Sequence, residues 1–403
     1  MAVPEYTNSS DSAPVYLALA ADGERILELQ SSQPVPSTNL PDRYVFQSQR
    51  IKLDLGARTW PVSTPCFGYR GLIEGVVSVT TLEYVKSVTV KVEATVKAFF
   101  MERGVPGRHT ESVLFQRSVI LYQNDSGSSS TTLGYPFSIT LPESCDKSTI
   151  LLPPSYTSYI PGVSAEVRYH IYVDMSRSGL RRRDSLVVPI LYLPRSYTPP
   201  NSRSLPLYGD QISLSSVVQG MEELQLTPQS TPKEGQSYAP PSTDIQAKVA
   251  LPSSIVVASG DRIPFIITIY SQWQALAALY TEMVLQLVKV TRIKALQKTI
   301  PKEEILASGE IHGPDDLGNG LRILRGEVGT GLPGAELAWS AAEAIGVLYL
   351  IRLSIKPPSS AVALSTNLPK FEHMVQVVIM AHRYNPDVDT SLLALGLIGI
   401  NSN

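Results

Sequence analysis

Between Val88 and Ala98 the chain reads as a strict two-residue repeat. Val88, Val90, Val92, Ala94, Val96 and Ala98 fall on one side, and Thr89, Lys91, Glu93, Thr95 and Lys97 fall on the other. Side chains change face at every residue of a β-strand, so this stretch makes one dry face and one wet face. A helix would scatter the same valines around its circumference. The pattern recurs at Ala165, Val167, Tyr169, Ile171, Val173 and Met175, which alternate with Glu166, Arg168, His170, Tyr172 and Asp174. Shorter alternating runs lie at 51–55, 73–79, 115–122, 135–141 and 185–193. Many short strands separated by turns predict a sandwich or barrel.

The repeat resumes after an interruption. Ile263, Phe265, Ile267 and Ile269 alternate, then Val347, Tyr349, Ile351, Leu353 and Ile355, then Val375, Val377 and Ile379. Between the two blocks lies a stretch rich in Pro and Ser. Pro199, Pro200, Pro206, Pro228, Pro232, Pro240 and Pro241 would each remove a backbone donor from a ladder. At 403 residues the chain exceeds one ordinary core, so two domains are expected. The reading is all-β: two tandem immunoglobulin-like antiparallel β-sandwiches joined by a Pro/Ser-rich linker. Residues 1–44 form an irregular segment, with a hairpin candidate where VYLALA and RILEL flank Asp22-Gly23. The first sandwich spans 45–197, a mobile tether 198–244, the second sandwich 245–385 and a short tail 386–403. Within the tether, Ile212–Leu226 fits a transient helix or an edge strand.

Particular motifs in both blocks point to a family. YPFSITLPES, LLPPSY and AEVRYHIYVDM run from 135 to 175, and RGLIEGVVSVT occupies 70–80. In order, these resemble the N-terminal domain of arrestins. ALPSSIVVASGDRIPFIITIYS, LRGEV at 324–328, Trp339 and IGVLYLIRLSI at 345–355 resemble the arrestin C-terminal domain. The likeness spans roughly 45–385, in family order on both sides of the linker. It implies an adaptor with N- and C-terminal arrestin domains that binds cytoplasmic parts of membrane proteins. In the alpha-arrestin branch such adaptors recruit ubiquitin ligases for endocytosis. That branch carries PPxY motifs in a tail beyond its second domain, and none follows Arg383 here.

One PPxY does occur, at Pro153, Pro154 and Tyr156. A WW domain grips such a segment because its prolines pre-form an extended helix. Its place between two core strands favours a packed structural loop instead. Arg177, Arg181, Arg182 and Arg183 crowd the turn MSRSGLRRRD. They are a candidate site for phosphopeptide or anionic lipid, with a solvated hairpin tip as the plain alternative. Thr227 and Thr231 each precede proline in the linker and are candidate phosphosites.

Other patterns carry less. Gly329, Gly331 and Gly334 spell GxGxxG before an Ala-rich stretch, AELAWSAAEA, that suits a helix. The acidic residue needed about twenty positions on is missing, since none follows Glu343 until Glu372. Ser144 and Lys147 fit SxxK without its companion motifs. His109, His170, His312, His373 and His382 show no metal spacing. Neither cofactor, metal nor catalytic residue is expected.

A net charge of −2 gives no basic footprint for nucleic acid. Cys66 and Cys145 make no disulfide framework and read as reduced thiols. No basic region followed by an apolar run opens the sequence, so a secretory signal is not expected. The expectation is a cytosolic protein, peripheral at plasma membrane or endosomes. It would act as a non-catalytic adaptor between membrane-protein cargo, trafficking machinery and a WW-domain ubiquitin ligase. A coat-type sandwich subunit of a sorting complex is the alternative, and an enzyme the third reading.

Overall fold

The computed structural model describes residues 40–102, 105–124, 133–179, 183–200, 220–229, 244–253, 255–295, 298–316, 320–342, 344–357, 368–387 and 392–399. It is an all-β structure, 65% strand and 3% helix, and its sheets pack as two antiparallel β-sandwiches. No helix among the described residues is long and apolar enough to cross a membrane. The hairpin candidate at 15–29 lies outside the described residues.

The first sandwich is built from β1 (Arg43–Gln47), β2 (Ile51–Ala57), β3 (Cys66–Phe67), β4 (Leu72–Val79) and β5 (Val85–Glu102). It continues with β6 (Val105–Gln123), β7 (Gly134–Thr140), β8 (Tyr156–Ile160), β9 (Val163–Arg177) and β10 (Asp184–Tyr192). One sheet has the order β1-β2-β4-β7; the facing sheet has the order β3-β10-β9-β5-β6, with β8 added on β9. The alternating residues do what their spacing requires. Val88, Val90, Val92 and Ala94 meet Tyr169, Ile171 and Val173 in the core, and Ile51, Leu53, Ile73 and Val77 close it from the other sheet. A buried apolar face of this kind supplies most of the driving force, at roughly 25 cal/mol per Å² removed from water.

The second sandwich uses β11 (Met221–Gln225), β12 (Pro228–Gln229), β13 (Ile245–Pro252), β14 (Val256–Ala258) and β15 (Arg262–Ser271). A short helix α1 (Gln274–Ala278) follows, then β16 (Glu282–Ala295), β17 (Lys298–Ser308), β18 (Glu310–Asp316) and β19 (Leu321–Gly329). β20 (Trp339–Ala341), β21 (Ile345–Lys356) and β22 (Lys370–Met380) complete it. Its sheets run β11-β13-β15-β19-β18 and β12-β22-β21-β16-β17, with β14 on β22 and β20 on β21.

The two sandwiches repeat one topology. β2, β4 and β7 correspond to β13, β15 and β19; β5, β6, β9 and β10 correspond to β16, β17, β21 and β22. The correspondence holds at residue level. Tyr156 opens β8 opposite Val167, and Trp339 opens β20 opposite Val347. Two residues further on, Tyr169 pairs with Ile190 and Tyr349 with Val377. The short strands β3 and β14 both join in parallel, Cys66 on Leu191 and Val256 on Val378.

Several expectations need correction. The span 198–244 is not a tether throughout, because Met221–Gln225 is an edge strand on β13 and Pro228–Gln229 pairs with β22. Pro228 is tolerated there because an edge strand need not donate on its outer side. The first sandwich begins at Arg43 rather than 45. AELAWSAAEA does not form a helix: Trp339–Ala341 is a strand on β21, where packing overrides alanine's propensity. Nor is 386–403 simply a tail. Leu393 bridges Pro194, and Leu393 and Leu395 pack on Leu193 of the first sandwich.

Candidate functional site

The PPSY loop sits at the junction of the sandwiches. Leu152, Pro153 and Pro154 are buried. The Pro153 carbonyl accepts a 2.5 Å hydrogen bond from the Tyr169 hydroxyl, and the Ser155 hydroxyl accepts from the Tyr192 N–H at 2.8 Å. The Tyr156 side chain then reaches from β8 toward the second sandwich. Its ring meets Trp339 edge-on, with centroids 5.0 Å apart and planes 69° apart. Its hydroxyl lies 3.3 Å from Thr291 Oγ1 on β16. Both rings pack against both hydrophobic cores, and Ile293, Ala341 and Ile345 of the second sandwich join the first core. The matching position in the second sandwich is polar. Tyr349 donates to Glu336 Oε2 at 2.7 Å and accepts from the Leu337 N–H at 3.1 Å, while Lys289 Nζ reaches the same carboxylate at 2.7 Å. Burial, and then the Glu336 charge, push the Tyr349 hydroxyl far above the usual phenol value.

This geometry sets what a WW domain would meet. The prolines it must stack on are covered, and docking would require pulling the loop out of the core. A WW-domain pull-down with the folded chain is expected to capture nothing above background, and Tyr156→Ala is expected to leave that unchanged. Capture that Tyr156→Ala abolishes would restore the ligand reading.

At the far end of β9 the arginine turn is partly neutralised from within. Arg183 pairs with Asp174 at 2.6 Å, and Arg177 Nη2 donates to the Glu83 carbonyl at 3.2 Å. Arg50 approaches Asp184 at 3.8 Å. Arg181 and Arg182 lie outside the described residues, as does Thr231. Thr227 is exposed where the chain crosses from β11 in one sheet to β12 in the other.

The GxGxxG loop is structural. Gly331 and Gly334 have φ of +87° and +74°, values that favour glycine, and the hydroxyl of Thr330, just before Gly331, donates to the Ala258 and Asp261 carbonyls. Ser144 of the SxxK pattern is bridged to Leu151, and Lys147 is exposed. Among the described residues no group of three His, Cys, Asp or Glu could hold one metal ion. Burial pushes the Cys66 thiol up to about 11 and raises that of Cys145, so both are protonated at neutral pH.

Two open clefts among the described residues stand out. One, of about 520 Å³, is bordered by Ser155, Arg168, His170, Pro189, Leu397 and Ile398. Burial, then Arg168 and Lys97, lower the His170 pKa. The other, of about 770 Å³, lies on the outer face of the second sandwich among Gln229, Glu282, Arg352, Lys356, Glu372 and His373. The second mixes charges of opposite sign, whereas the first carries Arg168 and His170 beside apolar residues; both are open, which suits peptide surfaces better than one enclosed small molecule. Sequence reasoning singled out Tyr156 and Trp339 separately. Nothing in the residues between them signalled that they touch. No protein-family model matches the chain, and no curated protein matches it.

Proposed function

We propose that this chain is an arrestin-like, non-catalytic adaptor of the cytosol that binds cytoplasmic segments of membrane proteins and links them to trafficking machinery. The observation that carries the reading is the pair of topologically equivalent sandwiches, joined through Tyr156 and Trp339, in a chain whose motifs follow arrestin order. Such a frame holds two sheet faces and their clefts in fixed relation, so a partner's loop can engage both at once. Strand edges add main-chain hydrogen-bonding groups for extended peptides. Any ubiquitin ligase would be recruited through another surface than PPSY, whose prolines are buried.

The test is binding of the purified chain to a panel of cytoplasmic receptor segments, with proximity labelling in the native cell. Segment binding, together with transient labelling of membrane proteins, supports the adaptor. Stoichiometric co-purification with coat subunits and no segment binding would replace it with the coat-subunit reading. The arginine turn gives a second check. Each exposed arginine near an anionic surface contributes about 1 kcal/mol. Arg177→Gln with Arg183→Gln is expected to weaken binding to phosphatidylserine vesicles by roughly tenfold, less than two full charges because Arg177 is half-buried against the Glu83 carbonyl and Asp174 already holds Arg183. Unchanged vesicle binding would reduce the turn to a solvated tip.

A further inference from the structure

Three segments distant in sequence meet at one seam. The Leu193–Thr198 segment leaves the first sandwich, Ala381–Tyr384 leaves the second, and Leu393–Ile398 returns to the first. The Ala394 N–H donates to the Leu193 carbonyl at 3.0 Å, and Arg195 Nε donates to the Leu393 carbonyl at 3.1 Å. The His382 N–H donates to the Ser196 carbonyl at 2.9 Å, and the Thr198 N–H to the His382 carbonyl at 3.0 Å. Side chains complete the stitching: Ser196 Oγ accepts from the Ala381 N–H at 2.9 Å and Thr198 Oγ1 from the Tyr384 N–H at 3.1 Å.

The His382 imidazole stands at the centre of this seam. The Tyr197 ring lies 6.0 Å from it. Across from it is Gly334, where an added Cβ would stand 3.1 Å from His382 Cε1. Gly334 in turn abuts Gly396 of the return segment, where a Cβ would meet the Gly334 carbonyl at 2.6 Å. Ring, glycine loop and return segment are thus closely stacked: a methyl group at Gly334 would press on the ring, and one at Gly396 would collide with backbone. His382 Nε2 is buried without a hydrogen-bond partner among the described residues, and so is the Tyr197 hydroxyl.

We infer that this seam is a pH-sensitive latch: His382, neutral when the seam is closed, releases it when protonated in mild acid. The charges around the ring offer the imidazolium nothing. Arg195, from the linker side, is a cation. Arg383, next in the chain, is turned to Asp261 at 2.9 Å. Glu336, from the glycine loop, is committed to Lys289 and Tyr349. The return segment 392–399 has no charged residue.

Burial, then Arg195, lower the His382 pKa below its ordinary 6.5. The opened seam therefore binds the proton more readily than the closed one. Closure is fully favoured above the ordinary value and is lost as pH falls through 6.5 toward the depressed folded value. The latch does not depend on the adaptor reading.

Amide hydrogen exchange on the full chain at pH 7.5 and 5.5, corrected for the intrinsic rate, reads the latch directly. The Thr198 and Ala394 amides are expected to lose protection relative to the Val173 and Ile351 amides, by at most about tenfold per pH unit, the limit for one proton. His382→Gln should remove that pH dependence whatever protection remains. Equal protection at both pH values in the native chain, or the same pH dependence in His382→Gln, overturns the latch. If the variant fails to fold, an NMR titration of the native chain decides. The Ala394 amide must shift with the midpoint of the His382 ring, and separate midpoints refute the idea.

Discussion

Trp339→Ala is expected to lower stability by about 3 kcal/mol and to divide one unfolding transition into two. Truncating a core tryptophan costs about 3–5 kcal/mol, and Trp339 belongs at the lower end because it is half-buried. The division follows from where the ring stands. It packs on Tyr156 at 5.0 Å and touches both cores, so it is a fastener between sandwiches as well as part of one. Each sandwich keeps its own paired sheets without it. What remains is the small apolar contact of Ile293, Ala341, Ala344 and Ile345 and the hydrogen-bonded seam between Ser196–Thr198 and Ala381–Tyr384, together an interdomain contact of ordinary kind. Urea unfolding followed by circular dichroism and by fluorescence of Trp60 and Trp273, one in each sandwich's sequence, tests this. The native chain should give coincident curves and the variant separate ones. Coincident curves in the variant, with a loss under about 1 kcal/mol, would mean that the junction is held elsewhere.

The strands were legible because their inward residues alternate: Val88–Ala98, Ala165–Met175, Ile263–Ile269 and Val347–Ile355 all lie as their spacing requires. Two- and three-residue strands such as β3, β12 and β14 are too short to carry a period. The duplication hides for a different reason. VRYHIYVDM at 167–175 and VLYLIRLSI at 347–355 share Val, Tyr and Ile at matching positions. Every other match is only apolar against apolar, so the equivalence appears once register is known. The junction was hidden because a contact between Tyr156 and Trp339 leaves no mark on the residues between them. His382 was visible as one of five dispersed histidines, but its role depends on Arg195, Gly334 and Gly396, each from a different segment. Burial of the PPSY prolines was suggested by their place between core strands. The partly buried pair of Lys289 and Glu336 was not, because Lys289 occupies an inward position that Ala94 fills in the first sandwich.

Gly326→Ala is expected to destabilise the second sandwich by about 3 kcal/mol, the upper end of what an added methyl costs in a packed core. Gly326 lies in β19 between β15 and β18, where an added Cβ would run into both the Glu310 carbonyl and the Phe265 ring. Gly309 faces the same ring, with its would-be Cβ 2.9 Å from Phe265 Cε1. Phe265 is 1% exposed and fills the volume that the two glycines leave. Shortening the ring by Phe265→Leu should return part of the loss, so the double variant should be about 1 kcal/mol more stable than the sum of the single effects. The backbone clash with Glu310 remains, which is why recovery is partial. Additive losses, or Gly326→Ala within about 0.5 kcal/mol of the native chain, would refute this packing. Placed in the Trp339→Ala background, the same change should move only one of the two transitions. That result would assign the transition to the second sandwich and show that the Tyr156–Trp339 contact is what makes the native chain unfold as one unit.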